Sequence, residues 1–357
     1  MKKVKFPFNH FYFVWRRWGG GATMGCYQPL MASRDLGYEN VSVKNIEVLR
    51  RDIAKIKNSV IFLFKCLAEQ KIIDQLRSNS NIVISYPGDG PLESLCNYYK
   101  QTKNINAVIV ASTEFKKTLL NSYKDGDKKP IVEVIPAAHD YFLESNKFKD
   151  VRQDKFQLYF GGSRSSSPTQ GELALDEIAY PYSEGYFHGL GFLYETLKDQ
   201  TEIIKQRYCL EIAKEGMCRH VNKMIGSPHN PSRYSCHYAV RAPWVGDYRS
   251  QWFTKTGGKV STAAAAGSNI ITSLDPCVKE LIDGEYPYSI NTETDEFKQN
   301  YIEICSQMIK YAESTFKTKV WYDGLKILEA VTERTKVHNI LQEYIKLANH
   351  AWEETYK

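Results

Sequence analysis

Apolar positions along the first 140 residues fall into short runs and amphipathic stripes that alternate in order. Residues 5–15 are strand-like and aromatic, and they run into Gly19, Gly20 and Gly21 and then a helix reaching about Arg34. Residues 59–65 (Ser-Val-Ile-Phe-Leu-Phe-Lys) form a short apolar run of the kind buried on both faces of a parallel sheet. Residues 69–77 have helical spacing, with Ile72, Ile73 and Leu76 sharing one face. The alternation continues with a strand at 81–86, the turn Pro87-Gly88-Asp89-Gly90, a helix at 92–100, a strand at 107–111, a helix at 114–123 and a strand at 131–135. Repeated strand–helix order predicts an α/β fold with a parallel, doubly wound sheet and helices on both faces.

Residues 141–154 break the pattern: they are polar, charged and weakly periodic, as a linker is. A strand at 156–160, closed by Gly161 and Gly162, restarts it, while residues 165–183 carry no readable period. Beyond them the pattern predicts a helix near 193–206, a strand at 208–212, an Ala-rich helix at 259–266, a strand at 269–273 and two or three helices from about 296 to 356. The organisation expected is a Rossmann-like domain at 1–140, a linker at 141–154, a second Rossmann-like domain at 155–335, and a terminal helix at 336–357. That helix carries Ile340, Leu341, Tyr344, Ile345 and Leu347 on one stripe and is expected to pack back on the first domain. The two Rossmann-like domains are expected to face a cleft. No solenoid repeat is present.

Composition excludes several classes. A chain of 357 residues with 43% hydrophobic and 25% charged residues is neither disordered nor fibrous, and its length suits about two domains. The longest apolar stretches, 60–64 and 263–266, fall far short of the roughly 20 residues that span a bilayer. The first ten residues have no unbroken apolar core and no small-residue cleavage site, so no signal peptide is expected. The cysteines at 26, 66, 96, 209, 218, 236, 277 and 305 form no Cys-x-x-Cys pair and read as reduced cytoplasmic thiols. The net charge of +6 is mild; it suits an anionic ligand or peripheral association with a membrane surface. The basic residues form no stripe interleaved with aromatics, so nucleic acid is unsupported as a partner.

Two glycine-containing loops carry the strongest chemical signals. In the stretch from Lys255 to Ser273, Gly257 and Gly258 sit where a loop becomes a helix, so backbone N–H groups and the helix dipole point at whatever lies there. Lys255, Thr256 and Lys259 add donors and positive charge, and Gly267 stops the helix before the next strand. The assembly suits a diphosphate, although the Walker spacing is absent. A lysine-flanked turn before a core helix is the competing reading. The second loop follows the strand at 156–160: Gly161, Gly162, Ser163 and Arg164 combine close backbone approach, a hydroxyl donor and a guanidinium able to grip phosphate oxygens bidentately. A Ser-rich surface loop is its plain alternative.

On these stretches the chain resembles the GT-B-type glycosyltransferases, which have two Rossmann-like domains around a cleft and hold the nucleotide sugar in the second. The Lys-rich loop, small-residue helix and following strand look like residues 255–273, continued by Asp275-Pro276-Cys277-Val278-Lys279-Glu280-Leu281-Ile282. Residues 134–140 (Val-Ile-Pro-Ala-Ala-His-Asp) resemble the crossing between domains, and residues 159–164 are similar to the donor-phosphate loop of phage DNA β-glucosyltransferases. The resemblance implies a transferase that moves a sugar from a nucleotide-diphosphate sugar to a hydroxyl acceptor such as a glycan or lipid-linked sugar, without a metal or other cofactor. Many retaining members carry two glutamates eight positions apart; Thr254 and Thr262 stand at the matching places here, which argues against that subgroup. Glu280 is a candidate for donor hydroxyls, or a plain surface glutamate.

The remaining candidates are single residues. Asp89, at a strand's carboxyl end in the first domain, is placed to take the acceptor hydroxyl's proton, with helix capping as the alternative. Gly19, Gly20 and Gly21 suit close approach to acceptor or diphosphate, or a tight turn. His10 reads as a core or cleft histidine, His139 and Asp140 as hinge or ligand contacts, and Arg241 as a diphosphate ligand or a surface ion-pair partner. Asp125-Gly-Asp127 reads as a solvated turn, and Cys218, His220, His229, Cys236 and His237 match no zinc spacing. The rivals to a transferase are a non-catalytic nucleotide- or sugar-binding protein and a sugar-nucleotide epimerase on the same scaffold.

Overall fold

A computed structural model describes residues 6–16, 23–88, 90–139, 141–144, 156, 158–161, 203–206, 235–241, 243, 251–282 and 284–356. The chain divides into two compact units. The first comprises Met1–Tyr141, Phe253–Thr256 and Thr335–Lys357, and the second Phe142–Trp252 and Gly257–Arg334.

The first unit is built on a six-stranded parallel sheet. In chain order its elements are β1 (Phe11–Trp15), a π-helical turn (Thr23–Tyr27), α1 (Gln28–Asp35), β2 (Val41–Asn45), α2 (Ile46–Asp52), β3 (Val60–Phe64), α3 (Gln70–Ser78), β4 (Ile82–Tyr86), α4 (Leu92–Gln101), β5 (Ala107–Val110), α5 (Thr113–Asn121) and β6 (Ile131–Val134). The strand order is β2-β1-β3-β4-β5-β6. Because side chains alternate across a strand, the apolar runs supply both faces at once. Phe11, Phe13, Phe62, Ile84 and Ile109 enter one core, and Val14, Ile61, Leu63, Val83 and Val108 enter the other.

The second of these cores is covered by α2 to α5, whose Leu49, Ile73, Leu76, Tyr99, Phe115 and Leu119 are each at most 2% exposed. The first is covered by α1 and by the C-terminal helix, Val337–Tyr356. Val337, Ile340, Leu341, Tyr344, Ile345, Leu347, Ala348 and Ala351 form its buried face. The Tyr344 ring stands 4.7 Å from that of Phe62. Burying such a ring beside an aromatic neighbour contributes on the order of 0.5–1.5 kcal/mol beyond its area.

The described part of the second unit holds β7 (Leu158–Gly161), β8 (Ile203–Gln206), β9 (Cys236–Ala239), α6 (Gly258–Ala265), β10 (Asn269–Ser273), α7 (Pro276–Leu281), β11 (Ser289–Ile290), α8 (Asp295–Ser314) and α9 (Lys319–Thr335). Its sheet is also parallel, in the order β11-β10-β9-β7-β8. The helix expected near 193–206 is corrected at its end, where Ile203–Gln206 is a strand paired with β7. Four residues with two adjacent isoleucines carry too little pattern to separate helix from strand, and pairing with β7 decides. The strand expected at 208–212 falls outside the described residues. Tight packing closes the core: a Cβ on Gly324 of α9 would stand 2.6 Å from Asn269 Oδ1, and Asn269 Nδ2 donates to the Trp321 carbonyl at 2.9 Å.

Candidate functional site

In open parallel sheets, ligands bind beyond the carboxyl ends of the strands where the strand order reverses. In the second unit the reversal falls between β7, which pairs with β8 on one side, and β9 on the other. Gly161 is the last residue of β7, and Arg241 follows β9. Helix α6 precedes β10 and runs against it, so its amino end also lies at this edge.

The start of α6 has the chemistry of an anion seat. Gly257 is the N-cap and offers no side-chain acceptor, and the first turn holds no acidic residue. Lys259, half-buried in that first turn, opposes the helix dipole and costs the helix roughly 0.3–1 kcal/mol. The remainder of the helix, from Val260 to Ala265, is buried, and its small side chains let it sit close to β9 and β10. Gly257 is also required sterically, because a Cβ there would stand 2.1 Å from Leu281 Cδ1 and 3.3 Å from Cys277 Sγ of α7. Gly257→Val is therefore expected to lower stability by about 1–3 kcal/mol through overpacking. Leu281→Ala added to it should raise the melting temperature again in a thermal-denaturation measurement.

Of the two expectations for Arg241, a diphosphate ligand or a surface ion-pair partner, the second is corrected to a buried ion pair. Its Nη1 meets Asp275 Oδ2 at 2.7 Å, with the side chains 6% and 1% exposed. Asp275 Oδ1 accepts from the Val278 N–H at 3.0 Å and so caps α7 with its other oxygen. The Arg241 N–H donates to Ser273 Oγ at 3.0 Å. One carboxylate thus fixes both a helix start and a guanidinium at the ends of β9 and β10. The Cys277 thiol beside it is pushed well up, first by burial and then by the Asp275 charge, so it is protonated at neutral pH. Glu280 is exposed on α7, and its carbonyl accepts from Arg334 Nη1 at 3.1 Å.

The first unit has its own carboxyl-edge cluster. Gly88, with φ of +68°, is pressed against the Lys65 side chain, where a Cβ would come within 2.5 Å of Lys65 Cε. Thr254 is fully buried; its Oγ1 donates to the Gly90 carbonyl at 2.6 Å and accepts from the Gly90 N–H at 3.4 Å. Ser112 Oγ donates to the Phe253 carbonyl at 3.0 Å while accepting from the Phe115 N–H at 3.2 Å, which caps α5. Lys255, 7% exposed, and Thr256 lie in this Phe253–Thr256 stretch, whereas Gly258 and Lys259 belong to the second unit.

Other sequence candidates are dispersed. His10 precedes β1 at the amino edge of the sheet, with Nε2 2.8 Å from Ser42 Oγ, and is not brought to the carboxyl edge. Burial, and then Lys44, lower its pKa, so it is neutral at pH 7. His139 is 1% exposed and holds Thr335, its N–H donating to that carbonyl at 2.9 Å. Asp125 and Asp127 lie in a turn where Lys124 N–H donates to Asp127 Oδ2 at 2.8 Å. Among the described residues no group of three or more His, Cys, Asp or Glu is placed to hold a metal, and no helix is long and apolar enough to cross a membrane. Gly19, Gly20, Gly21, Asp89, Asp140, Gly162, Ser163, Arg164, Cys218, His220 and His229 lie outside the described residues. Sequence reasoning gave no role to Lys65 or Ser112 and quoted Asp275 only within residues 275–282; the helix starts at Ser112 and at Asp275-Pro276 are local signals, but their partners Phe253 and Arg241 are distant in sequence.

No protein-family model matches the chain, and no curated protein matches its sequence. Solved structures match along nearly its whole length. Anabaena HepE in complex with UDP-glucose superposes with a TM-score of 0.54 at 12% identity, covering 94% of this chain and 98% of that one. AviGT4, a glycosyltransferase involved in avilamycin A biosynthesis, gives 0.54 at 13%, covering 97% and 98%. A glycosyltransferase from Rickettsia africae gives 0.54 at 13%, covering 96% and 99%. At these identities the likeness is one of fold, and the fold is that of the GT-B-type glycosyltransferases.

Proposed function

We propose that the protein transfers a sugar from a nucleotide-diphosphate sugar to a hydroxyl acceptor of carbohydrate type, without a metal ion. The observation that carries this reading is the glycine-opened, acid-free start of α6, with Lys259 in its first turn, at the carboxyl edge of a GT-B-type sheet. Structures of this fold bound to UDP-glucose support a nucleotide-sugar donor.

In the reaction, the acceptor oxygen bonds to the sugar's anomeric carbon as the bond from that carbon to the diphosphate oxygen breaks. The hydroxyl proton passes to Asp89, the general base. The leaving diphosphate gains negative charge, which the N–H groups of α6, Lys259, and the loop Gly161, Gly162, Ser163 and Arg164 neutralise. Fixed donors aimed at developing charge perform the task that a metal performs elsewhere. Glu280, exposed on α7, is the candidate for sugar hydroxyls, while Arg241 is committed to Asp275. Gly19–Gly21 are the candidates for the acceptor side, whereas His139 is buried against Thr335.

Incubation with a panel of nucleotide sugars, with and without sugar acceptors, tests this by nucleotide-diphosphate release. Acceptor-dependent release that persists in EDTA is the expected result. Binding without release under every condition would make the protein a non-catalytic binder. A new sugar nucleotide among the products would make it an epimerase.

A further inference from the structure

We propose that Thr254 is a positioning residue: its buried hydroxyl holds the Gly90 peptide and thereby sets the turn after β4 for transfer. The inference rests on the transfer reading above, in which Asp89, the residue preceding Gly90, is the base.

Four observations carry it. Thr254 is 0% exposed, so its hydroxyl does not exchange partners with bulk water. That hydroxyl engages both polar groups of one residue, the Gly90 carbonyl at 2.6 Å and the N–H at 3.4 Å. Gly90 lies close to the Leu95 side chain of α4, which a Cβ at this position would meet at 3.3 Å. The residue before Thr254 is held independently, by the Ser112 hydroxyl on the Phe253 carbonyl at 3.0 Å. Thr254 is thus a short peg between a backbone anchored at the start of α5 and the turn that leaves β4. The two partners are 164 residues apart in the chain.

A peg of this kind acts on rate through geometry, and a misplacement of about 1 Å can cost about 100-fold in rate. Thr254→Val keeps the shape and removes the hydroxyl; Thr254→Ser keeps the hydroxyl. Hydrogen–deuterium exchange by mass spectrometry should show faster exchange in peptides spanning 87–95 and 251–257 for the valine variant alone, with the serine variant restored. Transfer kcat should fall about 10- to 100-fold for valine, with the donor KM near the wild-type value, and recover most of the way for serine. If the valine variant does not fold, Thr254→Ala serves the same comparison. Unchanged exchange, or wild-type kcat with faster exchange, would overturn the proposal. A wild-type protein that releases no nucleotide from any donor would instead overturn the transfer reading and take this proposal with it, a result plainly different from an active wild type and an equally active variant.

Discussion

Asp89→Asn is expected to bind a nucleotide diphosphate as tightly as the wild type and to transfer sugar about two to four orders of magnitude more slowly. The substitution keeps size and hydrogen-bonding capacity but removes the group that accepts the proton. The proposed role falls to a residue that follows β4 in the chain, at the edge where ligand crevices open in parallel sheets. Asp89 is flanked by Gly88, in the left-handed region at +68°, and by Gly90, held by Thr254. The competing role is a cap for α4, whose N-cap position is Pro91. Calorimetric titration gives the affinity and single-turnover transfer gives the rate. Wild-type turnover by the asparagine variant would leave Asp89 a turn residue.

Asp275→Ala should destabilise the second unit by roughly 3–5 kcal/mol. The carboxylate is 1% exposed and its partner Arg241 is 6% exposed at 2.7 Å, so truncation removes the Asp275 charge from a buried guanidinium. Loss of the α7 cap, worth about 1 kcal/mol, is part of the same loss. Domains are stable by only about 5–15 kcal/mol, so the shift is a large fraction of the whole. Replacing both charges, Arg241→Met with Asp275→Asn, removes the stranded charge and keeps a capping side chain, and should recover most of the stability. Urea denaturation of the two variants checks this. A single variant within about 0.5 kcal/mol of wild type, as surface substitutions usually are, would mean that the pair does not hold the ends of β9 and β10.

The sheets were readable from sequence wherever both faces of a strand are buried. Val60–Phe64 is an unbroken apolar run whose side chains enter one of two cores, and Ile82–Tyr86 is broken only by the buried Ser85, 2.8 Å from the Tyr99 hydroxyl. β2 was not read. Val41–Asn45 is an edge strand with only Val41 buried, and Ser42, Lys44 and Asn45 hide its period. The stripe on the C-terminal helix was plain, since helical spacing is local, while its aromatic partner Phe62 is set by tertiary packing. The same division holds at the site. The start of α6 is legible because glycines and small residues must stand together to make it. The Arg241–Asp275 pair joins residues 34 apart and Thr254 reaches Gly90 across 164, and no spacing rule announces either contact.

That the amino end of α6 seats a nucleotide diphosphate is tested most directly by calorimetric titration of UDP into the wild type and into Lys259→Ala. Lys259 is a half-buried first-turn residue, so its loss should leave the melting temperature nearly unchanged. The wild type should bind, and the alanine variant should bind about 10- to 150-fold more weakly, the equivalent of one charge-assisted contact of about 1.5–3 kcal/mol. Equal affinity of the two proteins would make residues 255–273 an ordinary turn and core helix, and would contradict the proposed seat.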